Sequence, residues 1–190
     1  MIQPLFLKYI LSFVQWYLLM IIIAIGIDFF LHLVGLVEVG RYLGFAGTVA
    51  IIMSFYYSLR KRKIIKTGSP KQLLLQHEYL AWAGSVMLLV HAGIHFNALL
   101  PWLAIIMLLI VVASGLVGKF LLKISIESLK DKREELIAAG FNCRETDKKL
   151  FFDSITVDLM RNWRIVHLPI TIIFGVLAMM HIITIIMFGK

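Results

Sequence analysis

Long apolar blocks alternate along this chain with short polar turns and one extended charged stretch. A helix that crosses a bilayer needs about 20 apolar residues, each adding 1.5 Å of rise. The pattern predicts five such helices, over residues 5–33, 42–59, 70–99, 101–122 and 163–188. The expected fold class is therefore all-α, a single transmembrane bundle covering 1–190. Block one is longer than a signal-peptide core and lacks a small-x-small cleavage signature, so it is read as a retained helix.

Local signals sharpen the boundaries. Ser69-Pro70 reads as an N-cap followed by proline at the first helical position. Gly189 is a stop signal for the last helix. Pro169 has two readings: it kinks the fifth helix from inside, or it opens that helix and leaves His167 just outside.

Composition agrees with this architecture. Of 190 residues, 61% are hydrophobic and 16% charged, where soluble domains are about half apolar. Cys143 is the single cysteine, so no disulfide within the chain, no C-x-x-C pair and no C-x-x-C-H haem attachment is available. The net charge of +8 sits beside apolar spans, which fits membrane topology and lipid contact rather than nucleic acid.

The loops predict an orientation. Arg60, Lys61, Arg62, Lys63, Lys66 and Lys71 crowd one connection without an acid, and 123–162 is also rich in Lys and Arg. Such loops stay in the cytoplasm, which places the N-terminus inside and the C-terminus outside a cytoplasmic membrane. The 123–162 segment is expected to be a cytoplasmic amphipathic loop. It should carry a helix over 126–139, with Lys130 and Glu134 spaced to pair, and a second amphipathic piece over 150–160. It reads as a surface linker or as a docking platform for a soluble partner.

Candidate chemistry lies in the histidines. Ionisable residues inside a membrane are costly and mark function by default. His77 and His91 are fourteen residues apart, and so are His167 and His181. Fourteen residues of helix rise about 21 Å and make nearly four full turns. Each pair thus presents two imidazoles on one face at two depths. Helices three and five are separated by one crossing and should run parallel, so His77 faces His167 and His91 faces His181. Two facing pairs make two separate two-ligand sites, which suits haem iron; zinc wants three or four ligands at one depth.

Other residues attach to this scheme with two readings each. His95, four residues after His91, replaces it as ligand, or bonds a propionate or shuttles protons near a quinone; His91 is preferred because it keeps the fourteen-residue match. Gly84 and Gly175 lie between the paired histidines and allow either close porphyrin approach or ordinary helix packing. Arg164, Arg161 and Lys123 pair with propionates or act as topology anchors. Asp28 and His32 form a proton path beside a quinone or sit as polar residues at the headgroup level.

The segments HEYLAWAGSVMLLVH (77–91) and HLPITIIFGVLAMMH (167–181) resemble the haem-binding core of membrane b-type cytochromes. That core is shared by ferric-reductase-like and NADPH-oxidase transmembrane domains and by the respiratory cytochrome b. The resemblance covers about residues 42–188. It implies two haem b groups between helices three and five, with His77, His91, His167 and His181 as axial ligands. This sequence shows neither a G-x-G-x-x-G motif nor a P-E-W-Y motif. The resemblance thus implies a membrane subunit of a larger oxidoreductase, carrying electrons between a membrane quinone and a partner subunit that holds flavin, an iron–sulfur cluster or c-type haem. The alternatives are a ferric-reductase-like protein passing electrons outward to an external acceptor, and a haem-free transporter or anchor.

Overall fold

The computed structural model describes residues 4–94 and 98–188, and every regular element among them is helical. Helix α1 spans Pro4–Leu33, α2 Val37–Lys61, α3 Pro70–Ile94 and α4 Leu99–Leu116. A π-helical stretch, Val117–Leu122, leads directly into α5, Lys123–Ala138; α6, Cys143–Lys149, and α7, Phe151–Phe188, follow. Among the described residues five helices are long and apolar enough to cross a membrane: α1, α2, α3, α4 with its continuation, and α7. The five-span helical architecture expected from the apolar blocks is what the chain forms.

The helix ends have local causes. α1, α2 and α5 stop in the same way. In each, one residue takes a left-handed conformation, Gly35 at φ +69°, Lys63 at φ +61° and Gly140 at φ +88°. The next backbone N–H then reaches five residues back: Leu36 to Leu31, Ile64 to Leu59, Phe141 to Leu136. This pairing satisfies carbonyls that the helix would leave open. Lys63 does this without a glycine's freedom, a strained position for an L side chain. α3 opens at Pro70, with the Ser69 carbonyl accepting from Leu73 N.

Two boundaries differ from the sequence reading. α2 begins at Val37 rather than 42, with Glu38 in its first turn, where a negative charge suits the positive helix end. The piece expected at 150–160 is the opening of α7, one continuous helix of 38 residues with Pro169 inside it. His167 therefore lies within the helix. Between α5 and α7, α6 is fixed by a reciprocal cap: Asn142 Oδ1 accepts from Glu145 N, and Asn142 N donates to Glu145 Oε2.

The helices pack in two groups. α2 and α3 form the most extensive pairing, with α1 laid against α3; α4 packs on α7. Met20, Ala24, Leu31, Val86 and Val90 form the buried core between α1 and α3. α3 and α7 are not among the closely packed helix pairs of the described residues. Outward faces are apolar, with Ile22, Phe29 and Ile186 largely exposed, as lipid-facing helices require.

Candidate functional site

The four singled-out histidines come together in two levels. The rings of His91 and His181 face each other with centroids 6.4 Å apart. At the other level, His77 and Lys61 are the ionisable groups near enough to His167 to act on it electrostatically. The late histidines thus come together, and His77 lies within electrostatic reach of His167, in keeping with parallel helices that share a fourteen-residue spacing. All four rings are partly buried.

Each level has a backing helix. His77 Nδ1 donates to the Ser54 carbonyl at 2.9 Å, and His91 Nδ1 to the Gly40 carbonyl at 3.1 Å. Ser54 and Gly40 are themselves fourteen residues apart on α2. Because α2 and α3 are antiparallel, the two series run opposite one another: Gly40 beside His91, Gly47 beside Gly84, Ser54 beside His77. Each step is seven residues, two turns of helix. α2 therefore repeats the spacing of the α3 histidines in its own backbone.

Small residues make this contact possible. A Cβ at Gly44 would lie 2.7 Å from His91 Cγ, so the ring rests directly on the α2 backbone. A Cβ at Gly47 would meet the Gly84 carbonyl at 2.9 Å, and one at Gly84 the Gly47 carbonyl at 3.1 Å. Gly84 is buried against α2 and serves the packing alternative offered for it. Gly175 has open space around it.

On the other side, α4 backs α7. Ser114 Oγ donates to the Val111 carbonyl and lies within hydrogen-bond distance of His167 Nδ1. With its one proton committed to Val111, the hydroxyl oxygen accepts, and His167 Nδ1 is the donor. Three histidines therefore have Nδ1–H fixed by a backbone carbonyl or a hydroxyl, which sets Nε2 as the nitrogen that would ligate. Metal-ligating histidines are held in this way, the second nitrogen donating to a carbonyl or similar acceptor.

The spacing fits haem iron. Metal–nitrogen bonds are about 2 Å, and a ring centroid sits a little over 1 Å behind its nitrogen, so two axial imidazoles have centroids roughly 6 Å apart. The observed 6.4 Å matches a pair of imidazoles on opposite sides of one iron. Among the described residues no three or more His, Cys, Asp or Glu side chains converge; the arrangement is of two-ligand pairs.

Several residues lie outside what is described: His95 altogether, and the side chains of Arg161, Arg164 and Lys123. An ion pair not anticipated from the sequence stands beside His77. Glu78 Oε2 and Lys119 Nζ are 2.8 Å apart, tying α3 to the π-helical stretch. Gly40, Gly44, Ser54 and Ser114 were also missed, although the seven-residue series Gly40, Gly47, Ser54 was visible in the sequence. Comparison with protein-family models, with characterised proteins and with solved structures returns no match for this chain.

Proposed function

We propose that the chain is a di-haem b-type cytochrome subunit of a cytoplasmic membrane oxidoreductase. Electrons pass through it between a membrane quinone and a partner subunit. The observation that carries the reading is the His91–His181 pair, with ring centroids 6.4 Å apart; His77 and His167 carry the same fourteen-residue spacing from it on their own helices.

Haem iron, when bound, supplies one-electron chemistry; everything else falls to the chain. His77 and His167 would hold one iron, His91 and His181 the other. Two histidine ligands to each iron would suit electron transfer rather than oxygen binding. The backbone carbonyls of Gly40 and Ser54 and the Ser114 hydroxyl fix the ring tautomers and keep Nε2 aimed across the gap. The two levels, about 21 Å apart along the helix, bridge most of a ~30 Å apolar core. The basic segments 60–71 and 123–162 belong on the cytoplasmic side, where α5, α6 and the start of α7 offer a polar surface to a soluble partner.

Haem content and spectrum of the purified protein test this directly. Two non-covalent haems per chain and the reduced α-band of a bis-histidine b-type cytochrome are expected. A clean, folded preparation without haem would remove the proposal.

A further inference from the structure

On α3, Leu89 and Gly93 stand two residues either side of His91. Two residues turn a helix through about 200°, so they look away from α7. There, between α1, α3 and α4, lies a cavity of about 200 Å³. Ile21 and Ala24 of α1, Leu89 of α3 and Leu109 of α4 make its walls apolar. The exception is Asp28 of α1.

Asp28 Oδ1 is buried and has no hydrogen-bond partner. Its carboxylate lies against Gly93, where a Cβ would come 3.0 Å from Asp28 Cγ. His32 Nδ1 is 3.6 Å from Oδ1 and instead donates to the Asp28 backbone carbonyl at 2.9 Å. A buried acceptor without a partner is costly anywhere and more so at membrane depth. A ligand bringing a hydroxyl donor would satisfy it.

Size narrows the ligand. The cavity exceeds the ~30 Å³ share of one water and falls short of the ~300 Å³ at which pockets enclose a whole drug-sized molecule. A single substituted ring fits, with any tail left in the lipid. The cavity is one helix thickness, about 10 Å, from the face of α3 that carries His91.

We propose that this cavity binds the ring of a membrane quinol, one hydroxyl donating to Asp28 Oδ1, on the reverse side of α3 from the His91–His181 haem site. The proposal rests on the electron-transfer reading and assigns its quinone end to the His91 level. Gly93 is the residue that leaves room for the carboxylate, and the apolar walls admit a lipid-soluble ring while excluding ionic ligands.

The test is equilibrium binding of decylubiquinol, a short-tailed quinol, to the full chain purified in detergent without oxygen, with haem content measured on the same samples. The unaltered protein should bind one quinol per chain and prefer it to the oxidised quinone, because only the quinol brings a hydroxyl donor to the unpartnered Asp28 Oδ1. Asp28→Asn should weaken quinol binding about tenfold and remove the preference. Leu109→Trp fills the cavity from α4 with Asp28 intact and should abolish binding. Both variants should keep two haems, which also reports that they fold. Unchanged quinol binding in both variants would overturn the cavity assignment and leave the haem reading standing. Quinol binding that responds to these substitutions in a protein without haem would support the cavity and remove the electron-transfer reading.

Discussion

A single ring nitrogen decides what each of these histidines can do. With Nδ1 of His77, His91 and His167 tied back to Ser54, Gly40 and Ser114, the opposite nitrogen is the one that would ligate an iron under the proposed function. Replacing His91 or His181 with alanine should therefore remove one and the same haem, and replacing His77 or His167 the other. Quantitative haem analysis with low-temperature spectra of the four variants checks this; shared loss between His77 and His181 would contradict the parallel pairing. Removing a supporting group is milder. Ser114→Ala should lower haem retention at the His167 level by about ten- to a hundredfold, read as haem lost on dilution, with the His91 level unaffected. Gly44→Ala should do the reverse, because the new methyl would occupy the space of the His91 ring, at a cost of about 1–3 kcal/mol in a packed interior. The equal histidine spacing was legible in the sequence, and the meeting of His91 and His181 follows from it. Their partners were not, because two of the three are backbone carbonyls, which every residue has.

Helices, taken as elements, were read well where apolar content alone decides and less well where polar turns join them. Five spans followed from length and composition. The opening of α7 was missed as part of that helix because its first turns are amphipathic and Pro169 reads as a boundary. A proline costs one hydrogen bond within a long helix, and the rest of α7 and its packing on α4 outweigh that. α5 is joined to its surroundings by Lys132–Asp153 at 2.6 Å and Arg133–Asp147 at 2.8 Å, and carries the anticipated Lys130–Glu134 pair at 3.7 Å. Exposed ion pairs of this kind contribute little to stability. Deleting residues 126–139 should accordingly leave both haems bound while the complex with the partner subunit is lost, as read by co-purification. Retained assembly after that deletion would place docking elsewhere.

Over the whole molecule, the placing of basic residues sets which way the bundle faces. Reporter fusions in the 60–71 loop and at Lys190 should answer from opposite sides of the membrane, the first cytoplasmic. Agreement between the two would mean an even number of crossings and would break the parallel relation of α3 and α7. Span number was legible because each crossing leaves its own apolar block. The division into an α1–α2–α3 group and an α4–α7 group was not, because it depends on small residues at contacts between helices. That division has a consequence for how the protein is made. The α2–α3 hairpin, held together at Gly47 and Gly84, is synthesised before α7 and contains all the backbone partners of His77 and His91 that brace them in the fold, so it should form first. Under the proposed function, half of each ligand set would then be a finished wall, and the rest would arrive later in synthesis. Cofactor delivery need not keep time with translation. Chains made in haem-starved cells should insert, wait, and take up both haems when the supply returns, a delay that pulse-labelling followed by haem addition would expose.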